Sequence, residues 1–219
     1  MKVEILKCVT KYSGFFTVDE YLLRHELFEG GMGPPVKREL IEKGDAAAVL
    51  LYDPRRRQVV LTEQFRIGAF KWQCRQPGGV GEVVPDPSAR SAAQPVPGAW
   101  LVELVAGFIE PGESSTEVIH REAMEEAGCT VDELLPIARY YVSPGSTSET
   151  ISLYCGRVDA GAAGGIFGLA HEGENIRLLV LDVDTAWDWL AQGRIDSATP
   201  YIALQWLQQH EQALQQRWG

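Results

Sequence analysis

Cysteine is scarce in this sequence, and no two cysteines stand close together. The four are Cys8, Cys74, Cys129 and Cys155. They form no C-x-x-C pair and have no histidine cluster beside them, which argues against a zinc site and against a disulfide scaffold. We therefore expect four free thiols, most of them buried, as free cysteines usually are.

Long apolar runs are also missing. No run approaches the roughly 20 residues that a membrane-spanning helix needs. The first seven residues are interrupted by charges and lack the apolar stretch of a signal peptide. These features predict a cytoplasmic protein that does not insert into a membrane.

Basic residues are outnumbered: 20 Lys and Arg face 30 Asp and Glu, giving a formal net charge of -10. A chain of this charge should repel nucleic acids and anionic membranes. The one basic run, Arg55–Arg57, lies between two apolar runs and indicates a hairpin turn. An acidic enzyme that acts on an anionic substrate would need cations at its site, so a metal ion is already suggested.

The first 45 residues predict a small antiparallel β-sheet domain. Strand-like stretches lie at about 3–10, 15–28 and 36–43. This segment is too small to bury a core of its own. We expect it to pack on the rest of the chain or on a second subunit.

Residues 46–219 predict an α/β sandwich with a mixed sheet. Strands are expected at 46–52, 58–65, 101–106, 136–143, 149–158 and 177–181. Helices are expected at 115–127, near 187–191, and from Thr199–Pro200 onward. Ser114 or Ser115 would cap the first helix, and Gly128 would end it in the left-handed conformation. The preceding Glu110–Glu113 segment suits a type II turn.

Residues 71–99 do not fit this pattern of strands and helices. Five of the twelve prolines lie here, together with four glycines. Loops of this length without secondary structure are uncommon and tend to be functional or mobile. The composition predicts a Pro/Gly-rich surface insertion within the larger domain.

The predicted helix at 115–127 carries three glutamates on one face. Glu122, Glu125 and Glu126 are spaced i, i+3 and i+4, so their carboxylates project together. Like charges at this spacing destabilise a helix, and a bound divalent cation would reverse that cost. Taken alone, the three glutamates also fit a plain solvated acidic face.

The residues around these glutamates resemble the Nudix box. Its fixed positions are filled by Gly107, Glu113, Arg121, Glu122, Glu125, Glu126 and Gly128. The resemblance implies a Nudix α/β/α sandwich and a hydrolase. It implies that Glu122, Glu125 and Glu126 bind Mg²⁺, with Mn²⁺ as a substitute, and that the carbonyl of Ala106 is a further ligand. Glu113 and Arg121 would form a structural ion pair, and Glu122 and Glu126 would count as catalytic.

Beyond the box, most of the chain is similar to the bacterial dimeric ADP-ribose pyrophosphatases. Pro144 stands sixteen residues past Gly128, as in that subgroup. Residues 168–175 resemble its mobile catalytic loop, in which Glu172 would be the general base and Glu174 would help to hold metal. His171 is a rival base, because its ordinary pKa suits neutral pH better.

The same resemblance implies a set of substrate contacts. They are Arg38, Arg66, Phe15, Pro144 and Glu149, with Phe16 as an alternative to Phe15. Arginine suits bidentate phosphate binding in an acidic cleft. Read without the resemblance, Arg38 is an ordinary strand-surface residue, the aromatics belong to a core, and Ser143-Pro144-Gly145 is a turn.

The resemblance implies hydrolysis of ADP-ribose to AMP and ribose 5-phosphate by an activated water. It also implies a homodimer in which the N-terminal strands of each subunit complete the partner's site. One rival is a pyrophosphatase for another nucleotide sugar, such as GDP-mannose. A rival of another class is a non-catalytic Nudix ligand sensor.

Overall fold

The computed structural model describes residues 1–76, 98–169, 171 and 173–219. These residues form a mixed α/β fold, which confirms the predicted class. The strands are β1 Val3–Ser13, β2 Thr17–His25, β3 Val36–Glu42, β4 Ala46–Asp53, β5 Gln58–Phe65, β6 Trp100–Glu103, β7 Val105–Phe108, β8 Glu133–Tyr141, β9 Thr150–Arg157, β10 Ile166–Phe167 and β11 Ile176–Asp182. The helices are α1 Ile67–Cys74, α2 Ser115–Ala127, α3 Val183–Ala191 and α4 Ala198–Trp218.

The first three strands form a separate antiparallel sheet in the order β1-β2-β3. Its last strand, β3, leads along the chain into the larger sheet. The Ile41 N–H of β3 also donates to the Ser146 carbonyl oxygen at 2.8 Å. Much of β1 is exposed in the single chain, including the apolar side chains of Val3 and Ile5 at 67% and 60%. The sheet therefore buries little core by itself, as its length predicted.

The larger sheet runs β10-β11-β5-β4-β9-β8, with β4 and β9 parallel and the other neighbours antiparallel. Its β4–β5 hairpin pairs closely only at residues 51–53 with 58–60. Farther along, β6 pairs with β5 and β7 pairs with β4. The prediction of a single strand at 101–106 is therefore wrong. The segment forms two strands, because the chain pairs first with β5 and then with β4, and these two strands diverge beyond their paired ends. The second strand also continues past Gly107 to Phe108.

Helices cover both faces of this sheet. Alternate residues of β4 point to opposite sides, so Val49 and Leu51 pack with α2 while Leu50 and Tyr52 pack with α3 and α4. All four side chains are fully buried. The described residues therefore build a three-layer α/β/α sandwich with β4 at its centre.

Several expected boundaries shift in the structure, among them those of β2 (Thr17–His25 rather than 15–28) and β8 (Glu133–Tyr141 rather than 136–143). The last helix begins at Ala198 rather than at Thr199–Pro200, and Pro200 is its third residue. Proline is tolerated there because the first-turn N–H groups of a helix have no intrahelical acceptor. Helix α1 includes residues 71–74, so the start of the expected insertion at 71–99 is helical. Residues 77–97 of that insertion lie outside the described residues.

Within the described part of the chain, none of the helices combines the length and the apolar character needed to cross a bilayer.

Candidate active site

Helix α2 is fixed at both ends by its own sequence. At its start, the Glu117 N–H donates to Ser114 Oγ at 3.3 Å and the Ser114 N–H donates to Glu117 Oε2 at 2.8 Å. These reciprocal bonds form a capping box. At its end, Gly128 has φ 60°, the left-handed conformation that glycine adopts most readily. The helix spans 115–127, as predicted.

The loop before α2 is tied to the helix by an ion pair. Gly112 has φ 92° and the Glu113 N–H donates to the Glu110 carbonyl oxygen at 3.0 Å, which closes the predicted turn. Arg121 Nε donates to Glu113 Oε1 at 3.0 Å and Arg121 Nη2 donates to Glu113 Oε2 at 3.2 Å. This bidentate pair holds the pKa of the Glu113 carboxyl below its ordinary value. The expected ion pair is therefore present.

Glu126 is an acidic side chain buried between α2 and β7. It is only 3% exposed, and its Oε2 accepts a 3.1 Å hydrogen bond from the Ala106 N–H. Burial raises the pKa of Glu126 to about 8, and the charges of Glu122 and Glu174 add to the rise. The surroundings of Glu126 therefore favour its neutral form over its charged form. Shifted pKa values of this kind are typical of functional sites.

Glu122 lies against the backbone of β7. A Cβ on Gly107 would meet Glu122 Oε1 at 1.8 Å, so the Glu122 carboxylate would have to move if position 107 carried a side chain. Burial raises the pKa of Glu122, and Arg121 opposes the rise while the charges of Glu125 and Glu174 add to it. Glycine at position 107 therefore allows this carboxylate to approach the β7 backbone closely.

Glu125 contacts Arg121, and Glu174 accepts a hydrogen bond from the backbone. Arg121 Nη1 lies 2.6 Å from Glu122 Oε1 and 3.3 Å from Glu125 Oε2, which turns Glu125 toward the arginine. Glu174 Oε2 accepts a 3.0 Å bond from the Leu169 N–H. Across the described residues, no group of three or more Asp, Glu, His or Cys side chains is arranged to hold a metal ion.

The donor set nevertheless fits a hard divalent cation. The charges of Glu122 and Glu174 both raise the pKa of Glu126, the charge of Glu174 also raises the pKa of Glu122, and the donor atoms of all three residues are oxygens. A buried negative charge is costly unless a cation pairs with it. Mg²⁺ takes oxygen ligands and usually completes its shell with waters and substrate phosphates, so a partly open set suits it.

Arg66 stands beside these carboxylates. It follows β5, and its Nε donates to Glu103 Oε2 on β6 at 2.6 Å. Its positive charge lowers the pKa of Glu126, which places it within electrostatic reach of that residue. Arg38 lies instead on β3 of the N-terminal sheet, exposed, with its Nη1 donating to the Lys37 carbonyl oxygen at 2.7 Å.

Phe15 connects the N-terminal sheet to the Nudix-box segment. It is 81% exposed, so the alternative that it belongs to a core is wrong for the single chain. Its ring makes edge-to-face contacts with Phe16 at 4.8 Å and with Phe108 at 6.2 Å between centroids. Since Phe108 follows Gly107 directly, this aromatic group lies next to the Glu122 contact.

The segment 143–149 forms the turn expected around Pro144. The Ser146 N–H donates to the Ser143 carbonyl oxygen at 3.0 Å, and Pro144 is exposed. Glu149 is only 5% exposed, and Lys43 Nζ lies 2.5 Å from its Oε2. Glu149 therefore already has a cationic partner within the chain. Glu172, the expected general base, lies outside the described residues.

Sequence reasoning missed Lys43, Asp45 and Glu103. Asp45 Oδ1 accepts bonds from the Thr150 N–H at 3.0 Å and from Thr150 Oγ1 at 2.6 Å, which joins the start of β4 to β9. A charged Lys43-Gly44-Asp45 link before a buried strand was a signal for such contacts. For Glu103 the signal was a single acid inside the apolar stretch Leu101–Ala106.

Comparisons with known proteins identify the family. A model of the NUDIX domain matches residues 88–163. The chain is 45% identical over 217 residues to the ADP-ribose pyrophosphatase of Escherichia coli strain K12, covering 99% of this chain and 93% of that protein. The chain belongs to the Nudix family. It is a Nudix hydrolase, as the resemblance in residues 107–129 implied.

Other relatives of this Nudix hydrolase carry two different names. The ADP-ribose pyrophosphatase of Haemophilus influenzae is 41% identical over 216 residues, covering 99% of this chain and 90% of that protein. The GDP-mannose pyrophosphatase of Cronobacter sakazakii is 31% identical over 176 residues, covering 78% of each.

A solved structure supports the fold of the Nudix hydrolase over nearly its whole length. The crystal structure of an ADP compounds hydrolase superposes with a TM-score of 0.64, covering 96% of each chain. Their sequences are only 17% identical. This likeness therefore supports the architecture alone.

Proposed function

We propose that this Nudix hydrolase cleaves ADP-ribose to AMP and ribose 5-phosphate, with Mg²⁺ as its cofactor and Mn²⁺ as a substitute. The observation that carries the proposal is similarity over 99% of the chain to ADP-ribose pyrophosphatases at 41% and 45% identity. The GDP-mannose pyrophosphatases match less of the chain, at lower identity. GDP-mannose is the second candidate substrate.

In this proposal the acidic residues beside β7 hold the metal. The ligands are Glu122, Glu125, Glu126, Glu174 and the carbonyl of Ala106, with Glu122 and Glu126 also counted as catalytic. When bound, Mg²⁺ would offset the charge of the diphosphate and acidify a water. The support is that Glu126 is buried and that the charges of Glu122 and Glu174 raise its pKa, so a bound cation would stabilise its charged form.

The remaining roles follow from the family resemblance. Glu172 would take the proton of the attacking water. Arg66 would bind the diphosphate and Phe15 would stack on the base. Arg38, Pro144 and Glu149 would complete the substrate pocket, Glu149 from its place beside Lys43. A cytoplasmic location also stays a prediction.

We also propose that the enzyme is a homodimer. Apolar side chains of the N-terminal sheet, Val3, Ile5 and Phe15 among them, are 60% exposed or more in the single chain. Burying them against a second copy would stabilise both subunits through the hydrophobic effect. Light scattering behind a sizing column should give twice the chain mass, and a monomer at micromolar concentration would disprove this part.

Steady-state hydrolysis of ADP-ribose and GDP-mannose tests the substrate. We expect kcat/KM to favour ADP-ribose and EDTA to abolish turnover until Mg²⁺ is restored. A preference for GDP-mannose would establish the second candidate. Turnover that survives EDTA would contradict the metal role.

Two further measurements complete the test. If the purified protein binds ADP-ribose in calorimetry but hydrolyses no nucleoside diphosphate sugar, it is a ligand sensor rather than an enzyme. Hydrolysis in oxygen-18 water, followed by mass analysis of both products, shows which phosphorus is attacked. Label in AMP means attack at the adenosyl phosphate, and label in ribose 5-phosphate means attack at the other.

A further inference from the structure

Glu103 is an acidic residue in an otherwise apolar strand. It ends β6 opposite Thr62 of β5, and its side chain is only 17% exposed. Burial raises the pKa of Glu103, while the charge and the hydrogen bond of Arg66 oppose the rise. A carboxylate in such a place needs a cation, and Arg66 is the one that the structure supplies.

Arg66 is held at two points. Its backbone N–H donates to the Ala99 carbonyl oxygen at 2.9 Å, and its Nε donates to Glu103 Oε2 at 2.6 Å. The side chain is still 46% exposed. Guanidinium is a rigid plane, so a bond to Nε fixes the direction of the two terminal nitrogens.

The direction of that plane matters because a guanidinium binds an anionic group best through two parallel N–H bonds. The hydrogen bond to Glu103 uses Nε, so both terminal nitrogens of Arg66 stay open to a ligand.

We propose that Glu103 is a positioning residue: its carboxylate orients Arg66 so that the terminal nitrogens face the substrate diphosphate. This inference rests on the proposed function, in which Arg66 contacts the diphosphate. The alternative is a purely structural ion pair that closes the β5–β6 ladder. The two differ in whether Glu103 acts through Arg66.

A double-mutant cycle separates these readings. The enzymes are wild type, Glu103→Gln, Arg66→Ala and the double variant, each checked for folding by thermal melting. Steady-state kinetics should show kcat/KM for ADP-ribose falling roughly 10- to 100-fold in Glu103→Gln, mainly through KM. In the Arg66→Ala background, Glu103→Gln should change kcat/KM less than about twofold.

A matched control removes an ion pair away from the site. Glu133 pairs with Arg217 on the surface, with Arg217 Nε donating to Glu133 Oε1 at 2.7 Å. Glu133→Gln should leave KM for ADP-ribose unchanged. Glu103→Asp, which keeps the charge, should recover part of the loss seen in Glu103→Gln. Equal effects of Glu103→Gln with and without Arg66, or none at all, would overturn the proposal.

Binding of inorganic pyrophosphate keeps the test independent of turnover. Calorimetry with Mg²⁺ and pyrophosphate on the same four proteins should give the same non-additive pattern in Kd. If wild type fails to hydrolyse ADP-ribose while this pattern holds, the proposed substrate is wrong and the positioning role stands. If wild type is active but Arg66→Ala and Glu103→Gln weaken binding additively, the positioning role is wrong.

Discussion

Asp53 and Glu126 are both buried carboxylates, with exposed fractions of 1% and 3%, yet their surroundings differ. Asp53 accepts backbone bonds from Arg55, Arg56 and Ala160, and pairs with the Arg56 guanidinium at 2.9 Å. Burial alone would raise the pKa of Asp53, but these bonds outweigh it and the pKa is lowered. Glu126 has one backbone bond and acidic neighbours, and its pKa is raised. Burial alone therefore does not reveal whether a charge serves stability or function.

The largest expected effect is on activity at Glu126. Glu126→Gln keeps the shape but removes the charge, so kcat/KM for ADP-ribose should fall by roughly 10²- to 10³-fold. The metal-free variant should meanwhile melt at a higher temperature than metal-free wild type, since a disfavoured buried charge is gone. Kinetics and thermal melting in EDTA measure the two effects. A variant that is less stable than wild type would remove the contrast with Asp53.

Asp53→Asn should do the opposite. The amide places N–H donors where Asp53 now accepts bonds, which leaves Arg56 and the Ala160 N–H with poorer partners. We expect the free energy of unfolding to fall by about 2 to 4 kcal/mol. Urea titration measures this loss. Activity per folded molecule should stay at the wild-type level, and a large fall in kcat/KM would show that Asp53 also serves the reaction.

The two carboxylates should respond to pH in opposite directions. Glu126 has a folded pKa of about 8 against an ordinary value of 4.5. Its contribution to the free energy of unfolding is therefore fully present below about pH 4.5 and is lost as pH rises through 8. Asp53 has a pKa lowered from 3.8. Its contribution to the free energy of unfolding is therefore present above that value and is lost as pH falls below it. Urea titrations in EDTA at several pH values should show the stabilising effect of Glu126→Gln growing from pH 5 to pH 9. A gain that does not change with pH would contradict the raised pKa.

The smallest effect is expected at Asp159, which shares Arg56 with Asp53. Its side chain is 77% exposed, and its Oδ1 lies 2.6 Å from Arg56 Nη1. Exposed ion pairs contribute little, so Asp159→Asn should cost less than about 1 kcal/mol. If Asp159→Asn lowers the free energy of unfolding as much as Asp53→Asn does in the same urea titration, then the burial of Asp53 does not explain why its bonds stabilise the protein.

Local sequence signals predicted the best-defined parts of the molecule. Ser114 and Gly128 marked the ends of α2, and the spacing of residues 107–128 predicted the Nudix box, because both depend on contacts between near neighbours in the chain. The division of residues 101–108 into two strands was missed because it depends on how β4 and β5 splay apart. The pairing of Glu149 with Lys43 joins residues more than 100 positions apart, and no local pattern records it.

The stretch from β7 to Gly128 makes several bonds within itself: the turn at Gly112, the Glu113–Arg121 pair, the cap at Ser114 and the backbone bond from Ala106 to Glu126. We call this stretch a cassette, because these internal bonds fix its geometry together with the ladder between β7 and β4. Flanking loops can then lengthen, shorten or diverge without disturbing it. A graft of this cassette onto another sheet of similar twist should therefore carry its arrangement of carboxylates along, and recognition of a particular substrate would have to be built anew around it.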